Sequence, residues 1–313
     1  MKKALVIGAA GFVGGYLIDC LRNEFGMEVT GTRLTNQNFT HEGAEIFDLD
    51  IMKKEEISAL LEKIRPDYIF HLAAQSSVAV SWKNPQLTVD INIKGTLNLL
   101  DAVRELDYKP TLLLVGSGEE YGASGAEHGQ INEETVPKPG NVYAATKATQ
   151  NMLGSIYAKA YSLRIISVRA FNHIGAGQAE TFVVSDFCKQ VAEIEKGKKE
   201  PCLYVGNLSA YRDFTDVRDV VRAYALLAKS GRYGETYNVG SGHAIQIQTI
   251  LDKIIARSTA KIEVKVDEKK LRPVDVPKIE ADVSKIKQEV GWEPKLSIDD
   301  TIGDVLDWWR KRV

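Results

Sequence analysis

The chain is poor in cysteine and proline, carries almost no net charge and has no long hydrophobic run. Its three cysteines, Cys20, Cys188 and Cys202, form no C-x-x-C and no metal-ligand spacing. No disulfide framework and no metal site is expected from them, and so sparse and odd a set of thiols suits a reducing cytoplasm. Lys and Arg number 40 against 42 Asp and Glu, a net charge of -2. That balance gives no bulk reason to expect nucleic acid or an acidic membrane as partner. Phosphate recognition must then come from a few placed arginines or from backbone amides. No run approaches the roughly 20 apolar residues of a membrane span. The charged start at Met1 superficially resembles a signal peptide, but the apolar run after it is short and enters a glycine turn with no cleavage site. What is present is a globular composition, 44% hydrophobic and 26% charged over 313 residues. That length suffices for one large α/β unit or two domains.

Ala4 to Ile7 is a continuous apolar run, as expected of a buried parallel strand. It enters Gly8-x-x-Gly11-x-x-Gly14 and then a helical pattern. Strand, glycine turn and helix N-terminus make a phosphate site, with free amides and the positive end of the helix dipole turned to the ligand. Gly8 permits the turn, Gly11 close approach to a pyrophosphate, and Gly14 packing of helix on strand. Phe12 and Val13 belong to the same cofactor-binding run. The second strand, Glu28 to Thr32, ends in Arg33 with no carboxylate, which favours a 2′-phosphate and hence NADP(H) over NAD(H). Asp48-Leu49 ends a third strand, placed to cover an adenine. A helix from Glu55 to Ile64 stops at Pro66. Leu72, Ala73 and Ala74 end a fourth strand and can pass close to a ribose and diphosphate, while His71 inside that apolar run is read as a core histidine. Asn84-Pro85 caps a long helix to about Leu106, with the polar Asn92 inside it. Thr111 to Val115 is the fifth strand and Arg164 to Val168 a later one, with Ser117 and Asn172 just beyond their ends.

Strands alternating with helices predict a right-handed, doubly wound parallel sheet of α/β class. Ligands bind such sheets beyond the carboxyl ends of the strands, where the glycine turn, Ala73-Ala74, Ser117 and Asn172 all fall. The domain expectation is a Rossmann unit at 1–172 and a smaller α/β substrate unit at 173–313, with 206–242 partly returning to the sheet. Helices are expected at Glu180–Lys196, from Asp216 onward, and near Ile247–Arg257, Val283–Val290 and Ile298–Arg310. The chemistry is expected at Asn141-Val-Tyr143-Ala-Ala-Thr-Lys147. Tyr143 and Lys147 are four apart, one turn on one helix face. An ammonium there is expected to favour the phenolate and lower the pKa of Tyr143.

With these motifs the sequence resembles the extended short-chain dehydrogenase/reductases. The resemblance rests on Gly8-x-x-Gly11-x-x-Gly14, Asp48-Leu49, His71-Leu-Ala-Ala74, Asn92, Ser117 and Tyr143-x-x-x-Lys147, and covers nearly the whole chain. Phe171 to Gln178 and Gly206 to Asp216 are similar to the GDP-sugar members, GDP-mannose 4,6-dehydratases and GDP-6-deoxy-4-keto-D-mannose reductases. The Gly177-Gln178 ending resembles the reductases more. The resemblance implies NADPH-dependent reduction of the C4 keto group of a GDP-6-deoxy-4-keto-D-mannose to GDP-D-rhamnose. Tyr143 is then the proton donor, Ser117 bonds the same oxygen, and Lys147 holds the nicotinamide ribose. It also implies Arg212 and Arg272 at the substrate diphosphate, with Lys189 a further candidate and Asn172 lining the substrate, and a homodimer. Similar dehydratases carry a hydroxyl, then Asp or Ser, then Glu after the fifth strand. Here Ser117 and Glu119 fill the outer places but Gly118 the middle, which weakens dehydration without excluding it. A 4,6-dehydratase and a C4 epimerase stand as enzyme alternatives, and a cofactor-sensing protein without catalysis as a different class.

Overall fold

Five of the first six strands are short runs that are buried or nearly so, because helices cover the sheet on both faces. The computed structural model describes residues 1–124, 129–271 and 276–313. In chain order the strands are β1 (Lys3–Ile7), β2 (Glu28–Arg33), β3 (Glu45–Asp48), β4 (Tyr68–His71), β5 (Thr111–Val115) and β6 (Arg164–Ala170). They are followed by β7 (Asn172–Ile174), β8 (Cys202–Val205), β9 (Tyr211–Asp216), β10 (Thr236–Val239), β11 (Ala244–Gln246), β12 (Glu263–Val266) and β13 (Lys278–Ile279).

Seven strands form one sheet in the order β10-β6-β5-β4-β1-β2-β3, and every pairing in it is parallel. This is the expected doubly wound Rossmann sheet, with its switch point between β1 and β4. Helix Phe12–Asn23 and helix Val217–Ser230 pack together over one face around Leu17, Leu21, Val220 and Tyr224. Helices Lys54–Ile64, Gly95–Arg104 and Val142–Tyr161 cover the other around Leu5, Ile57, Leu99 and Leu112. β10 reaches this sheet from the C-terminal half of the chain.

The remaining strands form a sheet of β11, β9, β13 and β7 and a separate β12–β8 pair. Helices Val183–Glu195, Ile247–Ile255 and Ile298–Arg310 close over them on a third core that includes Phe187, Val205, Ile250 and Leu306. The helix expected from Glu180 begins at Val183, and the one expected at Val283–Val290 spans Ser284–Val290. Trp308 and Trp309 stack edge to face at 4.8 Å, and Trp309 Nε1 donates to Ser185 Oγ at 3.0 Å, tying the last helix to this unit.

The helix expected from Pro85 to about Leu106 comes in three parts. Pro85–Val89 and Gly95–Arg104 are α-helical, and Asp90–Lys94 between them is a π turn. Asn84 caps the start through its side chain, which accepts from Leu87 N at 3.2 Å. The π turn carries Asn92, whose side chain accepts from Gln75 N at 2.8 Å and donates to Thr146 Oγ1 at 2.9 Å. A wide turn of this kind is a rare local departure from the α-helix, found frequently at functional sites. Among the described residues no helix is long and apolar enough to cross a membrane.

Candidate active site

The phosphate-binding end is shaped by backbone contact. Gly8 sits at φ +86°, and a Cβ there would stand 2.6 Å from Ala73 N. Side-chain residues rarely adopt that conformation, and here there is also no room for one. Gly14 is more confined still, since a Cβ on it would meet Ala9 O at 2.0 Å. β4 is held against the same turn by Leu72 N and Ala73 N, which both donate to Ile7 O, at 2.9 and 3.0 Å. The helix beginning at Phe12 has Gly11 as its N-cap and no side-chain cap. Its first amides are therefore available to an anion, as a dinucleotide pyrophosphate requires. These residues fit the expected cofactor.

At the neighbouring strand ends Arg33 Nε pairs with Asp48 Oδ1 at 2.9 Å, and its Nη1 donates to Phe39 O at 2.9 Å. The two residues expected at the adenosine end thus hold one another. Leu49 is buried beside them, with its N–H on Arg33 O at 2.8 Å. His71 is a core residue, as expected. It is 1% exposed and its Nε2 lies 3.2 Å from Thr96 Oγ1. Burial first, and then the Lys147 charge, depress its pKa to about 3.

Ser117, Tyr143 and Lys147 come together at the end of β5. Asn141 starts the Val142–Tyr161 helix by accepting from Ala144 N at 2.8 Å, and that fixes the first turn on which Tyr143 stands. Tyr143 is buried and in hydrogen-bonding reach of Ser117. Ser117 Oγ in turn accepts from Glu119 N at 3.2 Å. Lys147 turns to the sheet, donating to Val115 O at 2.8 Å and to Gln150 Oε1 at 3.1 Å.

One expectation is reversed here. The phenol of Tyr143 is pushed up from its ordinary value, not down. Burial is the largest cause; the Ser117 hydrogen bond pulls the other way, and the charges of Glu119 and Glu120 add to the rise. Four-residue spacing brings Tyr143 and Lys147 to one helix face, but desolvation outweighs a cation whose ammonium is committed to Val115 and Gln150. Lys147 itself is lowered to about 8 by burial, with Glu120 opposing. The pair is a neutral phenol beside an easily titrated ammonium.

Beyond Ser117 a small pocket is lined by Gly118, Glu119, Phe171, Asn172, Arg212, Asp213 and Ile279. Three expected residues, Glu119, Asn172 and Arg212, thus share one cavity. Asn141 Nδ2 donates to Glu119 Oε2 at 3.5 Å. Arg212 is 7% exposed, with Nη1 on Tyr211 O at 2.7 Å. Gly118 lies under the Phe171 ring, and a Cβ at 118 would come within 3.1 to 3.2 Å of three ring carbons. Lys189 does not join this pocket. It is on the Val183–Glu195 helix, paired with Glu180 and over the Trp309 ring at 5.5 Å. Arg272 lies outside the described residues.

The family described as GDP-mannose 4,6-dehydratase matches residues 5–305. The chain belongs to that family. A GDP-6-deoxy-D-mannose reductase of Pseudomonas aeruginosa is 31% identical over 84% of this chain and 86% of its own. A GDP-mannose 4,6-dehydratase of Yersinia enterocolitica is 28% identical over 98% of this chain and 93% of its own. Among solved structures, RMD from Pseudomonas aeruginosa complexed with NADPH is similar at TM-score 0.87 and 28% identity, covering all of both chains. Thermus thermophilus UDP-glucose 4-epimerase complexed with NAD reaches 0.89 at 29% identity, again over all of both. As a family member with these neighbours, the chain is an NAD(P)-dependent oxidoreductase of the extended short-chain type.

Sequence reasoning passed over Glu120, which is 0% exposed below Ser117. Its signal was available: Ser117 and Glu120 have the S-x-x-E spacing of a capping box, and the structure shows both halves of that box. The carboxylate also meets Arg169 Nε at 3.0 Å and Asn151 Nδ2 at 3.2 Å.

Proposed function

We propose that the enzyme reduces the C4 keto group of a GDP-6-deoxy-4-keto-hexose with NADPH, forming GDP-D-rhamnose from the D-mannose derivative. The observation that carries this over dehydration is Gly118 packed beneath Phe171, since a residue with no side chain can neither hold nor relay a proton there, and a Cβ would press on the ring at 3.1 to 3.2 Å. The Gly8–Gly14 turn, Leu72, Ala73 and Ala74 would hold the cofactor, with Phe12 and Val13 offering amides to its pyrophosphate. Arg33 and Asp48-Leu49 stand at its adenosine end. When bound, NADPH supplies the hydride that the carbonyl carbon accepts. Tyr143 gives its proton to the carbonyl oxygen as negative charge develops there. A raised pKa suits that task, because the phenol is fully protonated at neutral pH while an alkoxide is far more basic. Ser117 donates to the same oxygen as a preorganised partner. An ammonium has three N–H donors, and Lys147 uses two on Val115 and Gln150, which leaves one for a ribose hydroxyl. Arg212 and Asn172 receive the sugar-nucleotide, Arg212 facing its diphosphate. Arg272 is assigned to the same diphosphate on resemblance alone.

The test is to mix the protein with GDP-6-deoxy-4-keto-D-mannose and follow NADPH consumption and GDP-D-rhamnose formation. Tyr143→Phe is expected to lower turnover by about 10²- to 10⁴-fold with cofactor affinity kept; an undiminished rate rules out its role. Glu119 in the pocket favours a second reading, a 4,6-dehydratase, with Glu119 as the base at C5. Incubation with GDP-mannose separates the two: a keto product formed without added NADPH refutes the reductase. The three cysteines are free and buried, which supports a reducing cytoplasm. Exposed Met152, Ile156 and Tyr161 on the Tyr143 helix and Trp82 on Val78–Lys83 support a homodimer; sedimentation at equilibrium checks it.

A further inference from the structure

We infer that Glu120 is the positioning residue of this site, a buried carboxylate that sets the Ser117 backbone from below and ties it to the Tyr143 helix and to β6. This rests on the reductase reading for its consequence in turnover, but not for its geometry. Glu120 Oε1 accepts from Ser117 N at 2.8 Å, and its Oε2 takes Asn151 Nδ2 and Arg169 Nε. Arg169 is further held by Tyr121 Oη at 2.9 Å and Glu133 O at 3.2 Å. The backbone is cut to fit, because a Cβ on Gly116 would stand 2.3 Å from Glu120 Oε1. One carboxylate therefore joins the β5 loop that bears Ser117, the Tyr143 helix through Asn151, and β6 through Arg169.

A buried carboxylate costs free energy unless every lone pair is used. An apolar side chain with no such demand could fill a site of this burial, so a carboxylate here has a task besides filling space. The site itself offers one: Ser117 must hold its hydroxyl beside the Tyr143 phenol so that both reach one carbonyl oxygen, and a displacement of about 1 Å in such a group costs about 10²-fold in rate. The second task is electrostatic. The titratable and charged groups around Lys147 are Glu120 from the β5 loop, His71 at the end of β4, Tyr143 on its own helix, and Arg169 on β6 behind Glu120. His71 and Tyr143 are neutral near pH 7, and Glu120, which burial pushes up while Arg169 and the Ser117 N–H pull down, opposes the burial that lowers Lys147 to about 8.

The experiment compares wild type with Glu120→Gln, which keeps an acceptor for Ser117 but removes the charge, and with Glu120→Leu/Arg169→Leu, which removes the ion pair as a unit. In protein labelled with 15N-lysine, the Lys147 resonance, identified by its loss in Lys147→Met, is titrated by NMR. Glu120→Gln is expected to move its midpoint to lower pH by about one unit, and the double variant, which also loses the Arg169 charge, by less. The alkaline limb of kcat/KM follows it, kcat falls about tenfold or more in the double variant, and KM for NADPH stays unchanged. An unmoved midpoint overturns the electrostatic role, and full kcat in the double variant shows that Glu120 only balances Arg169 and overturns the positioning role. Should Glu120→Gln fail to fold, the double variant carries both readouts. A wild type that consumes no NADPH defeats the reductase proposal, and the lysine titration still decides the charge of Glu120.

Discussion

Gly8 and Gly14 are confined by backbone atoms of Ala73 and Ala9, whereas at the other end of the cleft Arg212 and Glu119 are long side chains, each with a polar partner close by. The cofactor end is thus fixed by the fold itself, and a residue there has one arrangement. The proposed sugar-nucleotide end is set by side-chain choice, and a residue expected there can be claimed elsewhere, as Lys189 is by Glu180. Rigidity of this kind makes one region intolerant of substitution and leaves the other open to change in specificity.

The contrast is broken most sharply at Gly14. Gly14→Val places carbon where Ala9 O now lies; overpacking of this kind costs about 1–3 kcal/mol or more, and both thermal stability and NADPH binding should fall. A variant that binds NADPH normally by calorimetry dissolves the distinction. At the opposite end Arg212→Lys keeps the charge and loses the planar fork. Its KM for the GDP-sugar should rise about tenfold to a hundredfold, the loss of one charge-assisted contact of roughly 1.5–3 kcal/mol, with the melting temperature little changed.

An intermediate effect belongs to the sheet between the two ends. His71 has an ordinary pKa of 6.5 and a folded value near 3. Between those values the unfolded chain binds a proton that the native state refuses, so stability falls as pH falls from 6.5 toward 3. Urea titrations at pH 7 and pH 5 measure that loss, and His71→Gln should reduce the difference between them. The smallest effect is expected at Lys189. Lys189→Ala removes a partly exposed ion pair worth under about 1 kcal/mol and should leave KM for the GDP-sugar unaltered; a marked rise in KM returns Lys189 to the substrate site.

The same contrast governs how much the sequence disclosed. Glycine spacing and apolar runs encode backbone constraint directly, so the β1 turn, the parallel sheet and the core position of His71 were legible, whereas the meeting of Ser117 with Tyr143 was implied only by the family resemblance. Helix starts at Asn84 and Asp216 were legible for a similar reason, since a cap is a local contact. The rise in the Tyr143 pKa was not, because spacing along one helix says nothing about how deeply the residue is buried by β5 and its loop. The π turn at Asn92 and the use of Glu120 depend on partners 17 and 49 residues away in the chain. Lys189 and Arg33 illustrate the remainder: a charge has a reach of several ångströms, and its partner is chosen by whichever carboxylate the fold delivers.

β10 is the last strand to join the central sheet, and it is made only after the Val217–Ser230 helix. Until about residue 239 has been synthesised, β6 offers a bare hydrogen-bonding edge to any strand that passes. Pairing across so long a stretch of chain is slow to form, so the nascent protein spends its most aggregation-prone interval with its catalytic half already assembled. Chains cut short before Thr236 should therefore precipitate even though every residue proposed to hold the cofactor is present.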